Sequence, residues 1–164
     1  ALDFGIEELA VREGLASYIG VKRRFEIWVQ EKERVFIDDY AHHPEEIRAF
    51  LSSVKAMYPD KKLTAIFQPH LFTRTRDFAA GFSESLSIAD EVVLLEIYPA
   101  RELPIEGVNA TMLLEGITSA KKSLQSKEGL LDYLKANQPE VLVTIGAGDI
   151  DRLVVPIANW MKSL

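Results

Sequence analysis

The sequence predicts an α/β fold: a Rossmann-like open sheet, mostly parallel with one antiparallel edge strand, and helices on both faces. Three observations carry this. Short apolar runs at 34–39, 63–67, 91–97 and 141–145 have the composition of strands buried on both sides. They alternate with segments of helical periodicity, the pattern of parallel strands joined by crossovers. A further strand-like run at 25–30 is separated from the first only by Glu31-Lys32-Glu33, so a hairpin supplies the antiparallel edge.

A chain of 164 residues suits one domain with a substantial core. Its formal charge of −6, from 19 basic and 25 acidic residues, argues against a general nucleic-acid binder, whose footprint is basic. With no cysteine, disulfides and thiolate metal sites are excluded, which fits a reducing, cytoplasmic setting. No apolar run approaches the ~20 residues of a membrane span. The start, Ala1-Leu2-Asp3, carries neither an initiator Met nor a signal pattern, so the chain is expected to be a piece of a longer one.

In order along the chain, residues 5–19 read as a helix with Ile6, Leu9, Ala10 and Ala16 on one side and Gly20 as its stop. After the hairpin, Pro44 suits a first helical position, where its missing N–H costs nothing. Glu45 and Glu46 in the first turn and Lys55 in the last favour the helix dipole. Ile47, Phe50, Leu51, Val54 and Met57 form its apolar stripe. The segment 68–76 leads into a helix with Phe78, Phe82 and Leu86 at four-residue spacing. A loop follows at 98–107, then a short helix at 110–116 capped by Asn109, a weak strand at 119–123 and a helix at 127–136. The last helix turns Ile150, Leu153, Val154, Ile157 and Met161 inward and is expected to bend at Pro156.

Three connections, 38–44, 68–76 and 146–149, follow the carboxyl ends of predicted parallel strands. Ligands of open α/β sheets bind at that edge. The first, Asp38-Asp39-Tyr40-Ala41-His42-His43-Pro44, concentrates carboxylates, a phenol and imidazoles. Those groups suit a metal site, a general acid/base or ligand hydrogen bonding, while the plain alternative is a polar loop capping the next helix. In the second, Arg74 and Arg76 are expected at a helix start, where cations oppose the dipole. Either they hold an anion such as a carboxylate or phosphate, or they pair with Asp77 or Glu84. The third, Gly146-Ala147-Gly148-Asp149, is half of a dinucleotide fingerprint. Its small residues permit close backbone approach by a ligand or by a neighbouring loop. A Gly-x-x-x-x-Gly-Lys-Ser/Thr phosphate loop is absent from the sequence.

The run from Val35 through Asp38-Asp39-Tyr40-Ala41-His42-His43-Pro44 resembles the C-terminal-domain signature of the Mur ligases, which build the peptide stem of peptidoglycan. The segment Gly20-Val21-Lys22-Arg23-Arg24-Phe25-Glu26 resembles the start of that domain. Phe67-Gln68-Pro69-His70 with Thr73-Arg74-Thr75-Arg76 is similar to the version in the alanine-adding branch of the family. The resemblance implies that residues 1–20 end a preceding ATPase domain and that 21–164 form the third, Rossmann-like domain. It implies an ATP- and Mg2+-dependent ligase that activates the UDP-N-acetylmuramate carboxylate as an acyl phosphate for attack by L-alanine. The metal would be held mainly by the missing domain, and no membrane partner is expected. Asp39 would contact the ATP ribose, with Arg24 and His42 on the nucleotide side. Tyr40 and His42 would act as positioning residues along the alanine and phosphate side, and His70 and Arg74 would hold the amino acid. Leu71 stands where many members carry an arginine, which leaves Arg74, alone or with Arg76, to hold its carboxylate. The alternatives are a recycling ligase that adds a tripeptide, a stand-alone nucleotide- or anion-binding module, and a metal-dependent phosphoesterase.

Overall fold

Val35, Phe36 and Ile37 are all inaccessible to solvent, yet successive side chains of a strand point to opposite faces. The strand they form must therefore be covered on both sides. In the computed structural model, which describes residues 4–18 and 20–164, it is β2 (Val35–Asp39), inside a six-stranded sheet. The other strands are β1 (Glu26–Gln30), β3 (Leu63–Phe67), β4 (Glu91–Leu94), β5 (Lys121–Leu124) and β6 (Val141–Ile145). Their order is β1-β2-β6-β3-β4-β5, with β1 antiparallel to β2 and every other pair parallel. The Rossmann-like expectation, including the antiparallel edge, is met.

Alternation along the strands divides the apolar residues into two cores. Ile37, Ala65, Val92 and Val143 join Ile47, Phe50, Leu51 and Val54 of α2 (Pro44–Met57), with further side chains from α4 (Ala79–Leu86) and α5 (Thr111–Gly116). Phe36, Ile66, Val93 and Leu142 face α6 (Lys127–Asn137) and α7 (Asp151–Lys162) instead. The chain thus leaves β2, β3 and β4 toward one face, then crosses to the other before entering β6. Right-handed crossovers permit only that arrangement. It makes β6, flanked by β2 and β3, the switch point of the sheet.

Several local expectations are corrected. The first helix, α1 (Glu8–Ala16), is shorter than residues 5–19, and none of its residues is buried; Leu9 is 67% exposed. Its apolar side packs on nothing among the described residues. Ile19, inside the expected helix, lies outside the described residues. Met57 is half exposed because α2 outruns the sheet at that end. The helix expected through Phe78 is broken there: α3 (Phe72–Asp77) stops, α4 begins, and Phe78 turns outward. The strand expected at 91–97 ends at Leu94, and the weak strand at 119–123 lies at Lys121–Leu124. Asn109 does cap α5, accepting the Met112 N–H at 3.1 Å. The last helix, α7, continues past Pro156.

Candidate functional site

At the carboxyl end of β2 the two aspartates diverge. Both are buried, but the Asp38 carboxylate accepts the Thr144 hydroxyl of β6 at 2.7 Å and Arg23 Nε at 3.2 Å. Burial pushes the Asp38 carboxyl above the usual range; Thr144 and Arg23 pull it back without cancelling the effect. Asp39 splits its oxygens between the Ala41 N–H at 2.8 Å and the Phe25 N–H at 2.7 Å. Phe25 and Arg23 both lie in the left-handed region, with φ of 49° and 58°. That conformation costs a non-glycine residue roughly 1–2 kcal/mol. The Asp39 bond to Phe25 and the Tyr40 N–H bond to the Arg23 carbonyl, at 2.7 Å, hold the turn in place.

Past β2, an aromatic row runs along the edge of the sheet. The Tyr40 and His42 rings meet edge to face at 5.3 Å, His42 and His43 at 6.2 Å, and His43 and Phe78 at 4.7 Å. His42 Nδ1 lies 3.1 Å from the Tyr40 carbonyl, which can only accept, so Nδ1 carries a proton and donates it there. Glu46 reaches back from the first turn of α2 to accept the His42 and His43 N–H groups at 2.9 and 3.2 Å. Burial raises the Glu46 carboxyl, but those N–H donors and the His42 ring outweigh it and hold it below its usual range. The capping reading of this loop is therefore correct in part, with Glu46 as the capping group.

The β3 connection is organised by an irregular extension of the sheet. His70 forms a parallel bridge with Tyr98, the Leu71 N–H donates to the Tyr98 carbonyl at 2.9 Å, and the two rings stack at 5.7 Å. Leu71 takes φ 72°, and Glu102 from the 98–107 loop accepts the Thr73 N–H at 3.0 Å. Arg74 and Arg76 lie in the last turn of the six-residue α3, not at a helix start, so the dipole argument for them does not hold. They also part company: Arg76 is exposed and bonds Asp77 at 2.8 Å, whereas Arg74 turns to His70, Nη1 lying 3.4 Å from Nδ1. Arginine only donates, so the His70 proton sits on Nε2. Burial, then the nearby Arg74 and His42, push the His70 imidazole below its usual range against the pull of Glu102. His70 is neutral at pH 7.

Gln68 ties this connection to the one after β6. Its side-chain N–H donates to Asp149 at 2.8 Å and its oxygen accepts the buried Ile150 N–H at 2.9 Å. The two glycines of the third motif serve this junction. A Cβ on Gly146 would lie 2.7 Å from the Gln68 carbonyl, and one on Gly148 would lie 2.5 Å from Gln68 Oε1 and 2.8 Å from Tyr98 Cβ. The close approach they permit is by the neighbouring loop.

The three predicted connections thus meet at the switch point. Asp39, Tyr40 and His42 come from β2, and His70 and Arg74 from β3. Arg24, exposed beside the Arg23 turn, is near enough to contribute to lowering Glu46. Four contributors passed unassigned from the sequence: Arg23, Gln68, Thr144 and Glu102. Gln68 had a signal, a polar residue directly after an apolar strand; the others depend on partners far along the chain. No group of three or more His, Asp or Glu side chains able to hold a metal ion occurs among the described residues. No described helix is long and apolar enough to cross a membrane. A cleft of about 580 Å³ lies at the opposite end of the sheet beside Lys62, Glu91 and Lys121. The residues of the site line an open edge.

The family described as "Mur ligase, glutamate ligase domain" matches residues 23–148. The chain belongs to the Mur ligase family. Among curated relatives, the UDP-N-acetylmuramate–L-alanine ligase of Flavobacterium johnsoniae is 49% identical over 162 residues, 99% of this chain and 36% of that protein. The crystal structure of the UDP-N-acetylmuramate-alanine ligase of Thermotoga maritima superposes with a TM-score of 0.76 at 30% identity, covering 98% of this chain and 35% of that one. The murein peptide ligase of Psychrobacter arcticus shares the fold, with a TM-score of 0.70 at 17% identity over 93% of this chain and 32% of that one. The chain spans about a third of the length of these proteins.

Proposed function

We propose that this chain is the C-terminal domain of a UDP-N-acetylmuramate–L-alanine ligase, with residues 1–20 ending the ATPase domain before it and 21–164 forming the domain proper. The observation that carries this is the meeting of Asp39, Tyr40, His42, His70 and Arg74 on one open edge of the sheet. The identity of about half to an alanine-adding ligase, over 99% of this chain, favours alanine over a tripeptide as the incoming group.

Each Asp39 oxygen accepts one N–H and keeps a second lone pair for a hydroxyl. A ribose fits that acceptor, with Arg24 beside it for the charge of the nucleotide and the His42 ring on the same side. ATP, when bound, supplies the phosphoryl group that turns the muramate carboxylate into an acyl phosphate. With no group of three or more His, Asp or Glu side chains able to hold a metal among the described residues, the Mg2+ ligands are assigned to the rest of the enzyme. Arg74, oriented by the neutral His70, presents its remaining N–H donors to the alanine carboxylate. Tyr40 and His42 wall the side of the cleft on which amine and acyl phosphate meet. The work of this chain is positioning, and closure against the ATPase domain completes the site. The reaction belongs to the bacterial cytoplasm, where the nucleotide substrates are.

The experiment is a ligation assay with UDP-N-acetylmuramate, L-alanine, ATP and Mg2+, run on this chain alone and on the full-length protein. Turnover is expected only in the latter. Ligation by the chain alone, or none by the longer protein, would overturn the reading.

A further inference from the structure

Of the basic pair Arg23-Arg24, Arg23 is the residue built into the site. We propose that Arg23 is a positioning residue that sets the Tyr40 ring and the Gly146 carbonyl, and through them the wall facing the incoming amino acid. This deepens the functional reading above and rests on it.

Arg23 occupies a backbone conformation, φ 58°, that glycine or asparagine adopts with less strain, so its side chain must justify the residue. That side chain is largely buried, 19% exposed, and spans three parts of the fold. Nε donates to Asp38 on β2 at 3.2 Å, and Nη2 donates to the Gly146 carbonyl after β6. The guanidinium carbon stands 5.1 Å from the centre of the Tyr40 ring. A planar fork can reach two acceptors along one edge while offering its face to an aromatic ring; an ammonium group cannot do all three. Backbone contacts lock the base of the side chain. The Arg23 N–H donates to Glu26 at 2.8 Å, and its carbonyl accepts from Tyr40 at 2.7 Å. Arg23 therefore holds Tyr40 at both backbone and ring, and Tyr40 in turn meets His42 edge to face at 5.3 Å. The Asp38 bond is the structural half of this arrangement. The ring contact, through Tyr40 to His42, is the half that reaches the cleft.

The two halves separate in Arg23→Lys, which keeps a cation for Asp38 and loses the fork. In this chain, Arg23→Lys should melt within a few degrees of the parent while the aromatic NMR signals of Tyr40 and His42 shift. In the full-length ligase it should raise the alanine KM roughly fivefold to fiftyfold and leave the UDP-sugar KM unchanged. The same change made on a Tyr40→Leu background should add less than about twofold, because the ring through which Arg23 acts is gone. Arg23→Met serves as the harsher variant; if it fails to fold, Arg23→Lys still decides. Unmoved Tyr40 and His42 signals, an unchanged alanine KM, or effects that simply multiply with Tyr40→Leu would each overturn the proposal. Arg74→Ala in the same assay is the control. If it too leaves the alanine KM unchanged, the ligase reading has failed rather than the role of Arg23.

Discussion

Gln68 and Asp149, 81 residues apart in sequence, are joined by a 2.8 Å hydrogen bond that closes the gap between the β3 and β6 connections. With the Ile150 N–H on its other end, the Gln68 side chain is a strut between the two loops that frame the site.

Removing the strut should be costly. Gln68→Ala leaves the buried Ile150 N–H without its acceptor, at about 1–3 kcal/mol. For a chain of this size that lowers Tm by roughly 3–10 °C. Differential scanning calorimetry of the two proteins measures it, and an unchanged Tm would show that water replaces the amide.

Two glycines should respond in opposite directions. Gly148→Ala forces a methyl against Gln68 and Tyr98 and should destabilise by about 1–3 kcal/mol in urea unfolding. Gly14, inside α1, has open space where a Cβ would go. Gly14→Ala should favour that helix by roughly 0.5–1 kcal/mol, read as increased helicity in far-UV circular dichroism.

Acid should weaken the β6 connection. Burial raises the Asp149 carboxyl, but Lys127 at 2.7 Å and Gln68 outweigh it and hold the group below its usual range. A carboxylate with a lowered folded value stabilises fully above its unfolded value, about 3.9, and loses that contribution as pH falls through the lowered one. Lys127→Met should therefore cost stability at neutral pH and progressively less below about pH 4. Parallel pH–stability curves for the two proteins would contradict this.

His70 makes the amino-acid side pH-sensitive. Its imidazole is held below the usual value of about 6.5. The neutral ring, and the lone pair that orients Arg74, persist above pH 6.5 and are lost as pH falls through the lowered value. The alanine KM of the full-length enzyme should be flat from neutral pH down to about 6.5 and rise below it. His70→Asn should remove the rise.

Arg74 itself carries the carboxylate contact in the proposed mechanism. Arg74→Ala should raise the alanine KM by about tenfold to a hundredfold, the loss of a charge-assisted hydrogen bond of roughly 1.5–3 kcal/mol. Arg76→Ala should change it little, since Arg76 is exposed and paired with Asp77.

The gathering of the site was legible because it depends on one-dimensional pattern. Apolar runs mark strands, Pro44 marks the start of α2, and ligand loops follow the carboxyl ends of parallel strands. The arginines of α3 were misplaced because the break at Phe78, where the chain turns a phenyl ring out against His43, leaves no trace in a four-residue spacing.

The alternating α/β order, the antiparallel edge and the three polar connections can be read from the residues alone, because each is encoded in a window of a few positions. Which of their groups are shared emerges only once the strands are assembled. The insertion of β6 between β2 and β3 brings Thr144 to Asp38 across 106 residues and Gly146 to Arg23 across 123. Strand order is settled by crossover handedness and by the packing of two cores at once, so no local window records that Arg23 and Gln68 are the residues on which the site is hung.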